Sequence, residues 1–89
     1  MERREVYYSG HVQGVGFRYT VRSISRGYDI SGYVRNLPDR RVELIVEGAK
    51  PELDRFLAEI EAVMGGYIRN VTANSVPPTG EFGGFDIRF

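Results

Sequence analysis

Five stretches of the chain carry the apolar spacing or composition of β-strands. Residues 42–47 place Val42, Leu44 and Val46 alternately with mostly acidic positions, which predicts a strand buried on one face only. Apolar residues also alternate at the end of the chain, and the first stretch is rich in strand formers that lead directly into a glycine. The predicted strands cover residues 5–9, 30–37, 42–47, 67–76 and 85–89.

Two other stretches have the spacing of amphipathic helices. Phe17, Val21 and Ile24 recur at intervals of four and three, and Gly27 is a suitable end point for this first helix. The second helix begins near Pro51, since proline is tolerated in a first helical turn, and the Gly65-Gly66 pair ends it. Its apolar stripe consists of Leu53, Phe56, Leu57, Ile60, Val63 and Met64.

The predicted order is strand–helix–strand–strand–helix–strand with one extra terminal strand. This order is typical of an α+β, ferredoxin-like βαββαβ sandwich, with an antiparallel sheet of four to five strands and two helices on one face. No linker, repeat or low-complexity tract interrupts the chain, so we expect a single domain over residues 1–89. The fold alone does not indicate an activity, because this arrangement hosts many of them.

Composition and charge narrow the possible functions. Twelve basic and twelve acidic residues give zero net charge, which argues against general binding to nucleic acid or to anionic lipid. The chain has no cysteine and a single histidine, His11, so thiol nucleophiles, common zinc sites and a Ser–His–Asp triad are not expected. No apolar run approaches membrane-spanning length and no signal-peptide core is present, so we expect a cytoplasmic protein. We also expect a monomer.

A glycine-rich loop, Gly10–Arg18, connects the first strand to the first helix. Gly14 and Gly16 permit conformations that turn successive N–H groups into one concavity, and the helix start adds further unpaired donors. Arg18 can grip two phosphate oxygens with its guanidinium. This combination indicates a phosphate site. The alternative is a tight strand–helix turn with a solvated surface arginine.

Asn36 lies near the end of the second predicted strand, just before the Leu37-Pro38 turn. Its carboxamide can donate and accept hydrogen bonds at once, so it could hold a water molecule beside a bound phosphate. Taken by itself, however, an asparagine at this place more often shapes the turn.

The two motifs together resemble the signature pair of the acylphosphatase family. They are G-H-V-Q-G-V-G-F-R at Gly10–Arg18 and G-Y-V-R-N at Gly32–Asn36. The resemblance extends over nearly the whole chain and includes V-E-L-I-V-E-G, L-D-R-F-L-A-E-I and the closing F-D-I-R-F.

The resemblance implies an enzyme that hydrolyses acyl phosphates to a carboxylate and inorganic phosphate, with no metal and no cofactor. It makes Arg18 and Asn36 the catalytic residues, with Asn36 positioning the attacking water and inorganic phosphate acting as product and inhibitor. The phosphate-binding residues it implies are Gln13, Gly14, Val15, Gly16, Phe17 and Arg18.

Two other functions stay open at this point. Acylphosphatase-like domains also occur, by family resemblance, within larger carbamoyl-transfer maturation proteins, so the chain could bind phosphate or carbamoyl phosphate without turnover. We expect a free-standing enzyme, because the 89 residues include no partner domain. An RNA-binding domain would need a basic face, and Glu43 and Glu47 on the third strand oppose it.

One departure from the family pattern concerns the turn before the third strand. The family usually has Asp-Gly there, whereas this chain has Asp39-Arg40-Arg41. A positive φ at Arg40 would cost about 1–2 kcal/mol, so a rearranged turn is expected. The remaining aromatic residues are predicted to pack rather than to bind substrate: Phe56, Phe85 and Phe89 in the core, and Tyr19, Tyr28 and Tyr33 against other elements.

Overall fold

The computed structural model describes residues 1–89 and places two helices on one face of a five-stranded sheet. The predicted order of elements is confirmed, and a single turn of 3₁₀ helix, Gly65–Tyr67, precedes the fourth strand. Neither helix has the length and apolar character that crossing a membrane requires. The elements are β1 (Glu2–Gly10), α1 (Phe17–Ser25), β2 (Ile30–Asn36), β3 (Val42–Gly48), α2 (Lys50–Met64), β4 (Ile68–Val76) and β5 (Phe85–Arg88).

The sheet is mixed, whereas an entirely antiparallel sheet was expected. Its strand order is β4-β1-β3-β2-β5, and only the β2–β5 pair is parallel. Val76 at the end of β4 pairs with Arg3, and Phe85 at the start of β5 pairs with Gly32. Residues 77–84 therefore cross the sheet at the end where β1 and β2 begin, and β5 must then run in the direction of β2.

The core lies between the sheet and the two helices. Alternate residues of the central strands face the helices, and the buried stripe of α2 packs against them. Full burial of each large aliphatic or aromatic side chain contributes about 1.5–3 kcal/mol, so this layer is the main source of stability. The buried cluster consists of Val6, Tyr8, Val12, Phe17, Val21, Val34, Val42, Leu44, Val46, Leu53, Phe56, Ile60 and Met64.

β3 is buried on both faces, although its alternating pattern predicts burial on one. Glu43 is only 7% exposed and Glu47 only 1%. Glu43 accepts hydrogen bonds from the hydroxyls of Tyr7 and Tyr33, both at 3.0 Å, and from Arg35 Nε at 2.6 Å. The acidic residues are buried because β3 is the middle strand of the sheet and neighbouring strands supply partners for each carboxylate.

Glu47 holds the 77–84 segment against the sheet. It accepts hydrogen bonds from the backbone N–H groups of Thr79 at 2.9 Å and Gly80 at 3.0 Å, and from Arg3 Nη1 at 3.1 Å. Burial acts to raise the pKa of Glu47, but these donors outweigh it and lower the pKa to about 2. We call this part of the molecule the crossing end.

The opposite end of the sheet, which we call the loop end, collects the strand–helix loop and the β2–β3 turn. β1 and β2 end there, and β3 and α1 begin there. Residues 11–16 join β1 to α1 at this end, and residues 37–41 join β2 to β3. Both sequence motifs therefore finish at the same end of the fold.

Candidate active site

Helix α1 begins at the loop end with no side-chain cap. Its N-cap residue, Gly16, has a left-handed backbone with φ +76°, and Gly14 has φ +79°. A Cβ at either position would meet no atom within 4 Å, so the backbone conformation, and not lack of space, requires glycine. With no acidic residue in the first turn, the N–H groups that begin the helix remain available to an anion.

Gln13 connects the loop to the β2–β3 turn. Its side-chain Nε2 donates to the carbonyl oxygens of Leu37 and Arg41, both at 3.0 Å. The same two residues are joined by a backbone hydrogen bond of 2.8 Å from Leu37 N to Arg41 O. The side chain of Gln13 therefore fixes the position of the loop relative to the end of β2.

Asn36 is the last residue of β2 and is paired with Val42. Its side-chain oxygen Oδ1 is buried and receives no hydrogen bond, and no other buried side-chain nitrogen or oxygen in the chain lacks a partner. A turn-shaping role would occupy this oxygen, so the geometry does not favour that role. A buried acceptor without a donor costs about 1–3 kcal/mol, which a fold retains where the group serves binding or catalysis.

A cavity of about 110 Å³ brings the two predicted catalytic side chains together. Arg18 and Asn36 both line it, although 17 positions separate them in the sequence. Of the other predicted phosphate-binding residues, Gln13 and Val15 do not line it: Gln13 binds the turn, and Val15 packs against the core. The full lining consists of Val12, Gly14, Gly16, Phe17, Arg18, Tyr19 and Asn36.

The guanidinium of Arg18 has an aromatic neighbour and no acidic one. Its Cζ lies 4.8 Å from the ring centre of Phe89, and none of the ion pairs in the chain includes it. The prediction that Phe89 is a core residue is wrong, since the side chain is 92% exposed. β5 ends at Arg88, so Phe89 leaves the sheet and lies beside the helix start instead.

Tyr19 was also expected to pack, and this prediction is wrong. It is 57% exposed and lines the cavity beside Arg18. Helical periodicity could have revealed this, because Tyr19 lies midway between the buried Phe17 and Val21 and so on the opposite face. Two other tyrosines do pack as expected: the rings of Tyr28 and Phe56 have centroids 5.7 Å apart, and those of Tyr33 and Phe82 5.9 Å.

The β2–β3 turn keeps a left-handed residue in spite of the missing glycine. Arg40 has φ +74°, the only positive φ outside glycine, and its N–H donates to Leu37 O at 3.1 Å. The expectation of a rearranged turn is therefore wrong. The hydrogen bonds within the turn and from Gln13 hold this conformation at a cost of about 1–2 kcal/mol.

The donors available near the cavity are those of an anion site. No group of three or more His, Cys, Asp or Glu side chains in the chain is arranged to hold a metal ion. Arg18 and the uncapped N–H groups of α1 supply positive charge and hydrogen-bond donors, and Asn36 supplies an amide beside them. The arrangement suits a phosphoryl group in contact with a positioned water molecule.

Comparison with known proteins agrees with this chemistry. The family model for Acylphosphatase matches residues 4–87 of the chain. The chain belongs to the acylphosphatase family. An acylphosphatase from Methanospirillum hungatei is 47% identical over 73 residues, which is 80% of each sequence. The family resemblance seen in the two motifs is therefore confirmed, and with it an enzyme of the hydrolase class.

Solved structures of acylphosphatases share the fold. The crystal structure of the acylphosphatase from Bacillus subtilis has a TM-score of 0.89 and 26% identity, with complete coverage of both chains. The structure of T. kodakarensis HypF gives a TM-score of 0.84 with 28% identity, and here the whole of this chain corresponds to 12% of the larger one. The same fold thus occurs both alone and inside a much longer protein.

Proposed function

We propose that the chain hydrolyses acyl phosphates by in-line attack of water, without a metal ion or cofactor. The products are a carboxylate and inorganic phosphate. The observation that supports this most directly is the shared cavity: Arg18, the uncapped start of α1 and Asn36 all line it.

Phosphate binding is assigned to the 13–18 loop and to the Arg18 side chain. The guanidinium forks onto two phosphate oxygens, and the N–H groups beginning α1 donate to the oxygens that gain charge as the bond breaks. Gly14, Gly16 and Phe17 line the cavity and contribute directly. Gln13 and Val15 would take part through their main-chain N–H groups, because the Gln13 side chain is bound to the turn.

The leaving group explains why so few catalytic groups suffice. An acyl phosphate releases a carboxylate, whose conjugate acid has a pKa of about 4, so it departs without protonation. An alkoxide would need a general acid or a metal ion instead. Phosphoryl transfer through a loose transition state also demands little of the nucleophile, so catalysis consists mainly of positioning and charge stabilisation.

Asn36 is the residue assigned to the attacking water. Asn36 lines the cavity with Arg18, and its carboxamide can hydrogen-bond a water molecule whose oxygen lone pair faces phosphorus. The oxygen of water then bonds to phosphorus as the bond from phosphorus to the acyl oxygen breaks. The proton released from water passes to the phosphate product itself.

The test is turnover of benzoyl phosphate with and without a chelator, in the wild type and in two site variants. We expect chelator to have no effect, and Arg18→Ala to lose at least about 10²–10³ in rate together with phosphate binding. Asn36→Ala should slow turnover strongly while phosphate still inhibits competitively. Arg26→Ala is the matched control, because Arg26 is an exposed arginine at the other end of α1.

The outcomes separate the assigned roles. Activity close to wild type in Arg18→Ala or in Asn36→Ala refutes the role given to that residue. Loss of turnover in chelator that added metal restores would refute the metal-independent mechanism. An equal loss in Arg26→Ala would mean that general charge, and not the site arginine, is responsible.

A second candidate function is binding of phosphate or carbamoyl phosphate without efficient turnover. The observation that favours it is the structural match to a chain of which this fold makes up 12%. Calorimetric titration with inorganic phosphate, run beside the turnover assay, distinguishes the two. Binding with no hydrolysis supports the module, and hydrolysis supports the enzyme.

The cytoplasmic location, the monomeric state and the absence of nucleic-acid and membrane partners belong to the same proposal. The balanced charge of the chain supports the absence of nucleic-acid and anionic-membrane partners. Cell fractionation, light scattering and filter binding at low salt are the measurements that test them.

A further inference from the structure

A second and larger cavity adjoins the one that contains Arg18 and Asn36. Its volume is about 380 Å³, and Val12 and Gly14 line both cavities. The two cavities are therefore adjacent and meet along the glycine-rich loop. The lining of the larger cavity consists of Gly10, His11, Val12, Gln13, Gly14 and Arg40.

Arg40 brings an unpaired positive charge to this cavity. Its guanidinium takes part in no ion pair and no hydrogen bond within the chain, and the residue is exposed. The adjacent Arg41 differs: its Nε lies 2.8 Å from Asp39 Oδ2, and its guanidinium lies 4.9 Å from the ring centre of Tyr7. The backbone thus holds Arg40 at φ +74° with no protein partner for its side chain.

No carboxylate lines the larger cavity. The nearest acid in sequence, Asp39, is occupied by Arg41 through both its backbone N–H and its side chain. On the other side, Arg69 lines a further cavity with Gly10 and His11 and is also free of ion pairs. The chain has zero net charge, so the unpaired guanidinium groups of Arg40 and Arg69 give this part of the surface a positive charge that the chain as a whole lacks.

We propose that the acyl part of the substrate occupies this larger cavity, and that Arg40 selects acyl groups carrying a second negative charge. The inference rests on the proposed function, because it assigns the phosphoryl group to the smaller cavity. The second charge is a carboxylate at the far end of the acyl chain, which the guanidinium binds as it would any anion. Arg40 is a specificity residue and takes no part in breaking the bond between phosphorus and the acyl oxygen.

The test compares glutaryl phosphate with valeryl phosphate, which have the same number of carbons and differ in the terminal carboxylate. We expect Arg40→Gln to lower the ratio of kcat/KM for glutaryl phosphate to kcat/KM for valeryl phosphate about five-fold, the upper end for an exposed ion pair. The change should appear in KM, and the wild-type preference should shrink as salt is added. Any difference in intrinsic reactivity between the two substrates does not affect the result, because the ratio of their kcat/KM values is compared between protein variants.

Three further variants complete the design. Arg40→Lys keeps the charge and should keep most of the preference, and Arg40→Gly tests charge removal in a backbone that glycine adopts freely. Arg41→Gln is the matched control, because its guanidinium is already paired with Asp39, and it should leave the ratio unchanged.

The results separate this inference from the proposed function. Turnover of both substrates with the same ratio in the wild type, Arg40→Gln and Arg40→Gly overturns the role of Arg40 alone. An equal drop in Arg41→Gln also overturns it, because the effect would then be a general field. Failure of the wild type to hydrolyse either substrate overturns the proposed function, and the inference with it.

Discussion

Two buried polar side chains at opposite ends of the sheet differ in the hydrogen bonds that they accept from the rest of the chain. At the crossing end, the carboxylate of Glu47 accepts hydrogen bonds from Thr79, Gly80 and Arg3. At the loop end, Oδ1 of Asn36 accepts none. The first group is fully satisfied within the chain, and the second is buried without a partner.

The same contrast extends to the neighbouring arginines. Arg3 has three carboxylate partners, Glu5, Glu47 and Glu81, whereas Arg18 has none. Polar groups satisfied within the chain stabilise the fold, and unsatisfied ones reduce its stability until a ligand binds. Substitutions at the two ends should therefore separate stability from activity.

The largest effect on stability should come from Glu47→Ala. This change leaves Arg3 and the N–H groups of Thr79 and Gly80 without their buried acceptor, so we expect a loss of about 3 kcal/mol in the free energy of unfolding. The kcat/KM for benzoyl phosphate should stay within about two-fold of the wild type, since the site is at the other end. Urea denaturation and turnover assays measure the two quantities. A large loss of kcat/KM alongside the loss of stability would mean that the two ends of the sheet are not independent.

Acid should weaken the crossing end in a defined pH window. The pKa of Glu47 is lowered from 4.5 to about 2, so its contribution is complete above pH 4.5 and is lost as the pH falls toward 2. This contribution is on the order of 3 kcal/mol at most. Urea midpoints measured at successive pH values should fall through this window in the wild type. In Glu47→Gln the fall should be smaller, and parallel curves for the two proteins would contradict the assignment.

At the loop end, a substitution should raise stability and lower activity, whereas at the crossing end it should lower stability and leave activity nearly unchanged. Asn36→Leu replaces a buried acceptor that has no donor by an apolar group of similar size, so we expect a gain of about 1 kcal/mol in stability. Turnover should nevertheless fall strongly, because the amide that we assign to the attacking water is gone. Calorimetric melting and the benzoyl phosphate assay test the two parts. A less stable Asn36→Leu protein would show that the oxygen is satisfied in solution.

The smallest effect is expected at the aromatic neighbour of the site arginine. Phe89→Leu removes a cation–π contact of about 0.5–1 kcal/mol from Arg18, which corresponds to a two- to five-fold rise in the inhibition constant for phosphate. Stability should hardly change, because the ring is exposed. Phosphate inhibition measured in both proteins decides the point, and unchanged inhibition would show that Phe89 does not orient the guanidinium.

The sequence predicted the parts of this comparison that depend on local patterns. The helices, the strands and the family motifs with Arg18 and Asn36 follow from spacing within short segments. The environment of Glu47 does not, because the middle position of β3 and the crossing of residues 77–84 depend on which distant strands pair. The P-P-T-G run indicates a turn but not the sheet face it covers.

Phe89 and Arg40 illustrate the same limit at single residues. Alternation with Phe85 and Ile87 predicts a core position for Phe89, and only the end of β5 at Arg88 changes this. Steric preference argues against a positive φ at Arg40, but two hydrogen bonds from Gln13, together with those within the turn, maintain it. For Arg40 the deciding contacts come from Gln13, which is far from the turn in the sequence.

The short edge strand β5 has a consequence for local opening of the structure near Arg18. With four residues and one neighbouring strand, it should open more often than the centre of the sheet, and each opening would carry Phe89 away from Arg18. Amide deuterium exchange in β5 would then report how often the guanidinium is uncovered. Opening of the edge strand β5 and uncovering of the Arg18 guanidinium would then occur at the same rate.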